Sequence, residues 1–454
     1  MSSASPLIEL KANEAQCLHT DLGWHDALLA AYAEFGFCYE YGDIPIAPVL
    51  MEAAFLKQAS HDLRVLMQLA RAVSLAHLDD RAPIRAHDRS IVERYRDAER
   101  QPLMGRPDCI LAGGKLRVLE FNMDSGMGGI QEVGVLTDGY LDSGLGSLLA
   151  YELQNPFESQ LGFIQNQLTK ASRQSVCITP LADFSRFYLD QSDHLAARIS
   201  ARLGVPARTV FPEALRQGEW LTDGQTEYGI FYRDACFLHE PILLAGMAQA
   251  LNAARSTRTI TLGDPLDIGV DDKGALALVS EFLDQQSQDD PELGRLKALV
   301  PWTRLMDRKV TTVDGEIVDL EKFVRAQKGT LVLKRCASHV GKQVFIGSRT
   351  DDAIWDDIIS RTKMKRDDGE DWVVQRFVVA DKFPLWFRDH DGSLGLRHCS
   401  GTAGPFVFGD QPDGWLVRIQ GAQADDDAVF ALPTDGNIGL TTVAAVDTLK
   451  GVST

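Results

Sequence analysis

The sequence predicts a mixed α/β (α+β) fold with a helical N-terminal region and a small α/β domain in mid-chain. Three patterns carry that expectation. Apolar residues recur at helical spacing early in the chain, strand and helix signals alternate over residues 173–265, and strong strand patterns dominate after residue 330.

From Pro48, PVLMEAAFLKQASHDLRVLMQLARAVSLAHL carries apolar residues every three or four positions, so a long helix is expected from that proline onward. At Cys109 the pattern changes. CIL, AGGK and LRVLEFN read as a β-hairpin closed by Gly113-Gly114-Lys115, and the glycine-bearing segment DSGMGGIQEVG comes next. VCITPLAD reads as a buried strand, SDHLAARISARLG as a helix ending at Gly204, and VPARTVF and EYGIFYRDA as further strands. DDKGALALVSEFL and VDLEKFVRAQ are helical patterns. TLVLKRC, QVFIG and DWVVQRFVV are strands, and LRHCSG, PFVFGD and WLVRIQG extend an antiparallel tail. The expected divisions are 1–104 (helical), 105–172 (the hairpin with its glycine-bearing segment), 173–270 (small α/β) and 271–454.

A chain of 454 residues exceeds one ordinary core, and 45% hydrophobic with 24% charged residues is a soluble globular composition. No apolar run reaches bilayer length, and MSSASPLIELKANEAQ lacks a basic segment followed by an apolar one, so neither a membrane span nor a signal peptide is expected. The 7 cysteines are scattered without a CxxC pair, which argues against a disulfide framework or thiolate zinc site and for a cytoplasmic setting. A formal charge of −18 argues against nucleic acid as a partner. Any anionic ligand must meet local cations.

Two such places stand out. In LRVLEFN, strict alternation puts Leu116, Val118, Glu120 and Asn122 on one face, and the three-residue loop would set Asp108 across from Glu120. Two carboxylates and an amide form an oxygen-only set that suits Mg²⁺, although a solvated strand end accounts for the same residues. The second place is TLVLKRCASHVGKQVFIG, where Lys334 ends an apolar strand and Lys342 follows Gly341 in a polar loop. A lysine on a buried strand needs an anion, either nucleotide phosphates or a core carboxylate. The spacing is not that of a P-loop. Gln375 and Phe377 lie on the next strand, DWVVQRFVV, whose backbone could meet an adenine edge or be ordinary core. GxSxG and HExxH are absent, and His339 is the one histidine placed to lie over a phosphate.

Together these segments resemble the circularly permuted ATP-grasp family, in particular glutathionylspermidine-synthase-like carboxylate-amine ligases. Arg106, Asp108, Glu120, Asn122, Asp124 and Ser125 stand where that family has R-x-D followed by E-[FY]-N-x-D-S at a fixed interval. VLKRCASHVGKQVFIG matches its lysine strand and glycine loop in length, keeping Lys334, Gly341, Lys342, Val344 and Gly347. Arg335 replaces a proline, and Ser338, Val340 and Gln343 replace glycines. The resemblance implies an ATP-grasp fold with a pre-ATP-grasp-like domain over 173–270, and ATP and Mg²⁺ as cofactors. It implies Asp108, Glu120 and Asn122 as metal ligands, and Lys334, Lys342, Gln375 and Phe377 around the nucleotide. Arg106, Arg233 (in YGIFYRD) and Arg418 (in WLVRIQG) become the catalytic candidates. The implied reaction joins a carboxylate to an amine through an acyl phosphate, with an amino acid or small peptide as substrate. Another ATP-dependent phosphotransferase, or an inactive nucleotide-binding module, fits the same motifs. Expected partners are small-molecule or peptide acids and amines, with a homo-oligomer left open and no nucleic acid or membrane.

Overall fold

The computed structural model describes residues 5–20, 23–34, 44–77, 95–97, 99–123, 127–180, 186–234, 241–287, 289–336, 338, 343–362, 371–389, 391–409, 411–420 and 438–447. Asp124, Ser125, His339, Val340, Gly341 and Lys342 lie outside them.

The architecture is mixed α/β, as the sequence predicts. Its largest sheet has 6 strands: Ile438–Thr441, Gln411–Gln420, Leu394–Phe408, Met104–Ala112 and Lys115–Asn122 in order, with Lys382–Arg388 pairing the first half of Leu394–Phe408. A separate antiparallel sheet runs Thr303–Leu305, Trp372–Arg376, Leu331–Arg335, Val344–Ile346. The mid-chain region forms a parallel sheet, in the order Ile260–Leu262, Ile230–Asp234, Val176–Pro180, Ala207–Thr209. Its helix Arg186–Leu203 ends at Gly204, whose φ of 68° suits a residue without Cβ. No helix among the described residues is long and apolar enough to cross a membrane.

Three sequence expectations need correction. The long helix begins at Ala53, not after Pro48. Val49–Glu52 is a strand, parallel to Val443–Val446, and Val49, Leu50 and Met51 are buried there. A buried apolar run of that length reads alike as helix or strand, and pairing with the far end of the chain decides it. LRHCSG and PFVFGD are not two strands but one of 15 residues, irregular between Pro405 and Phe406.

The third correction concerns the hairpin. It closes on two residues, Gly113 and Gly114, with φ of 59° and 71°, the type I′ turn that matches strand twist. That closure alone would oppose Asp108 to Leu119. A bulge at Leu119 restores the pairing, so Asp108 faces Glu120 and Arg106 faces Asn122, while Cys109 pairs with Val118. Because neighbouring residues of Met104–Ala112 point to opposite faces, Val118 and Glu120 do too. Leu116 and Val118 therefore join Cys109, Leu111, Phe121 and Met123 in the main core with helices Ala53–Ala76 and Gly274–Gln285. Glu120 and Asn122 do not share that apolar face, as strict alternation required. The bulge turns them to the other side.

Among the described residues of this sheet, backbone approaches a glycine most tightly at Gly404. A Cβ on Gly404 would lie 1.8 Å from the Pro107 carbonyl oxygen and 3.3 Å from Arg106 Cγ. Gly404→Ala is expected to spread the two strands and lower unfolding free energy by about 1–3 kcal/mol, measured by denaturant titration.

Candidate functional site

The polar face of the hairpin gathers charge from three directions. Arg106 and Asp108 lie two apart on one strand and so share its face. Arg106 Nε donates to Asp108 Oδ1 at 3.0 Å, and its Nη1 donates to the Met127 and Gly128 carbonyls at 2.6 and 2.7 Å. From strand Gln411–Gln420, Arg418 Nη2 donates to Asp108 Oδ2 at 2.5 Å. Asn122 Nδ2 donates to the Arg106 carbonyl at 3.2 Å, which turns its amide oxygen away from that bond.

Across from the hairpin stand two lysines. Lys334, on the antiparallel sheet, donates from Nζ to the Leu119 carbonyl at 3.2 Å. That carbonyl belongs to the bulged residue, whose place in the ladder is interrupted. Lys273 stands immediately ahead of helix Gly274–Gln285; its Nζ meets Glu120 Oε2 at 3.2 Å and also donates to the Ser338 carbonyl. Asp271, beside it, accepts the Met123 N–H at 3.1 Å, and Asp272 accepts the Gly274 N–H at 2.7 Å.

Burial and charge compete at each group. Burial opposes ionisation of Asp108, but Arg418 and Arg106 outweigh it and hold its carboxyl at about 2. Burial likewise opposes the charge on Glu120. Lys273 and Lys334 nonetheless hold Glu120 below the usual carboxylate range, against a push upward from Asp108. Burial draws the Lys334 ammonium down to about 8, with Glu120 resisting and Lys273 adding to the fall. Lys273 stays above the ordinary lysine value because Glu120 overcomes its burial.

The two carboxylates differ in access. The Asp108 side chain is 8% exposed with both oxygens on arginines, whereas Glu120 is 31% exposed and gives one oxygen to Lys273. Among the described residues no three His, Cys, Asp or Glu side chains cluster as a metal site. A magnesium ion, which takes one or two carboxylates and keeps waters or phosphates as its other ligands, fits Glu120 with the Asn122 oxygen. It fits Asp108 only where an arginine leaves it.

Other expected residues stand elsewhere. Arg233 is fully buried at the end of its strand in the parallel sheet, donating from Nη2 to the Gly263 carbonyl at 3.2 Å. Gln375 is buried inside the antiparallel sheet, its amide donating to Thr303 Oγ1 at 3.1 Å. Its strand is paired along both edges. The Phe377 N–H is taken by the Thr330 carbonyl at 2.9 Å. The Gln375 amide and the Phe377 N–H are thus both engaged within the protein. Lys273 is the residue that motif reading missed. Its one signal was a cation heading an apolar helix, where the macrodipole disfavours positive charge and some acid must repay it.

In overall fold the chain is similar to a solved glutathione synthetase-like effector from Globodera pallida, in its apo form. The TM-score is 0.55 at 10% identity, covering 96% of each chain. A protein described as a candidate γ-glutamylcysteine synthetase from Methylobacillus flagellatus KT aligns at a TM-score of 0.45 and 12% identity. That alignment covers 83% of this chain and 87% of that one, a likeness too loose to define a fold. No protein-family model matches the chain, and no curated protein matches it in sequence.

The Asp108 ion pairs have a signature in acid. Because its folded carboxyl sits at about 2 against an ordinary 3.8, its share of stability is complete above the ordinary value and is lost as pH falls toward 2. The share is on the order of 2 kcal/mol. Asp108→Asn is expected to flatten the fall in unfolding free energy between pH 5 and 2 by on the order of that amount, measured by urea titration across the range.

Proposed function

We propose that the chain is an ATP-dependent carboxylate-amine ligase whose nucleotide phosphates lie between Lys334, Lys273 and the polar face of the hairpin. The observation that carries this reading is the convergence of two buried lysines, from a second sheet and a helix start, on Glu120. Arg106, Arg418, Lys273 and Lys334 surround one hairpin face whose own carboxylates are Asp108 and Glu120, and an anionic ligand could take over some of those internal partners. The fold is in keeping with the same reading, since a solved structure that it resembles is described as a glutathione synthetase-like effector.

The chain's own residues divide the work. Lys334 and Lys273 would neutralise phosphate oxygens. The desolvation that lowers Lys334 makes its charge most valuable once an anion is beside it. Glu120 and the Asn122 oxygen would hold magnesium, which supplies Lewis-acid neutralisation of the phosphates when bound. Asp108 holds Arg106 and Arg418 over the same face, positioned to turn toward a transferring phosphoryl group. The acid oxygen attacks the γ-phosphorus, the bond to the ADP oxygen breaks, and an acyl phosphate results. An amine then adds to the acyl carbon and phosphate leaves, its proton passing to solvent. Arg233, at the carboxyl end of the parallel strands, belongs to the acid or peptide substrate in this reading. The motif resemblance would add Lys342 to the residues that meet the phosphates.

Isotope transfer tests the chemistry directly. With a mixture of ¹⁸O-carboxylate amino acids and amines, the released phosphate is expected to carry one ¹⁸O, detected by mass spectrometry. Free phosphate without the label would mean hydrolysis, and a phosphorylated product would mean a phosphotransferase. Glu120→Gln and Lys334→Met are each expected to lower turnover by about 100-fold or more, with folding retained by circular dichroism.

A further inference from the structure

The lysine and the carboxylate that meet at this site belong to different sheets, so something must fix how one sheet sits over the other. The nearest covalent link is the connector between strand Trp372–Arg376 and strand Lys382–Arg388. Its near end is tied to the Lys334 sheet, because the Phe377 N–H donates to the Thr330 carbonyl at 2.9 Å. Its far end is tied to the hairpin by Asp381 through three bonds. The Asp381 N–H donates to the Leu111 carbonyl at 2.6 Å. Its carboxylate accepts the Gly113 N–H on Oδ1 at 2.9 Å and the Gly114 N–H on Oδ2 at 2.8 Å.

Those two glycine N–H groups are the central ones of a type I′ turn, which the hairpin's own ladder does not use and which ordinarily point to water. Consecutive residues with positive φ aim both donors into one concavity, and one carboxylate fills it with charge-assisted bonds. Only residues 378–380 lie between the two anchors. From Phe377 to Asp381 is four residue steps, over which a trans chain spans at most about 14 Å, so gripping the turn limits how far the Lys334 sheet can shift over the hairpin.

We propose that Asp381 is a positioning residue: by gripping the Gly113-Gly114 turn it sets the antiparallel sheet over the hairpin and so seats Lys334 on the Leu119 carbonyl beside Glu120. The hairpin's own register does not depend on Asp381, because burying Leu116 and Val118 with Cys109 and Leu111 already favours it. What Asp381 adds is the link from that hairpin to the other sheet. The residue touches no reacting atom. That Lys334 then meets nucleotide phosphates rests on the ligase reading; the seating of Lys334 does not.

The test reads Lys334 itself. Full-length wild type, Asp381→Ala, Asp381→Asn and Arg117→Ala are treated briefly with acetic anhydride, and acetylation of the Lys334 peptide is quantified by mass spectrometry. Arg117→Ala is the control for a loosened hairpin, since Arg117 bonds the Ala298 carbonyl from the same strand without touching the turn. Lys334 acetylation is expected to rise several-fold in Asp381→Ala and less in Asp381→Asn, which keeps one acceptor oxygen, while Arg117→Ala stays at the wild-type level. Calorimetry with Mg-ATP on the same proteins is expected to show affinity about tenfold weaker in Asp381→Ala alone. Unchanged Lys334 acetylation in both Asp381 variants overturns the proposal, as does an equal rise in Arg117→Ala. If wild type binds no ATP, the ligase reading fails, and acetylation still decides the role of Asp381. If Asp381→Ala does not fold, Asp381→Asn carries the comparison.

Discussion

Asp108 and Glu120 sit directly across a hairpin from each other, and two like charges so close cannot both persist in a half-buried place without cations between or around them. Much of the surrounding structure answers that demand. Arg106 comes from the same strand, Arg418 from a strand two places over in the sheet, Lys273 from a helix start and Lys334 from another sheet. Each is costly to bury alone, and each is tolerable because the carboxylates are there. The hairpin is thus a hub on which several distant parts of the chain are registered.

The same mutual neutralisation defines a chemical opportunity. Asp108 is closed, with both oxygens on arginines, whereas Glu120 is partly open with a lysine on one oxygen. An incoming polyphosphate with its metal could exchange these internal partners for its own, keeping every charge compensated. Lys334, lowered by burial to about 8, gains most from such an exchange. The bulge at Leu119 makes the arrangement possible in two ways. It turns Glu120 and Asn122 away from the apolar core, and it offers Lys334 a carbonyl to rest on.

How much of this is legible in the sequence depends on range. The twelve-residue interval from Asp108 to Glu120 and the lysine-bearing strand can be read from local pattern, as can the alternating mid-chain region. Asp108 opposite Glu120 was also legible, but by a different route from the one that occurs. A three-residue loop without a bulge and a two-residue turn with one give the same pairing, and they differ in which face the carboxylates share with Leu116 and Val118. Only the burial of those two residues separates them. The strand at Val49–Glu52 and the roles of Lys273 and Asp381 were not legible, because each depends on a partner more than 100 positions away, and no local spacing encodes such a partner.

All of the proposed chemistry depends on nucleotide phosphates binding at the hairpin's polar face. A crystal structure with Mg²⁺ and a non-hydrolysable ATP analogue tests that most directly. The phosphates are expected between Lys334 and Lys273, with magnesium on Glu120 and Asn122 and at least one arginine turned from Asp108. An analogue bound elsewhere, or a saturated crystal in which Lys273 still pairs with Glu120 and both arginines still hold Asp108, would contradict it.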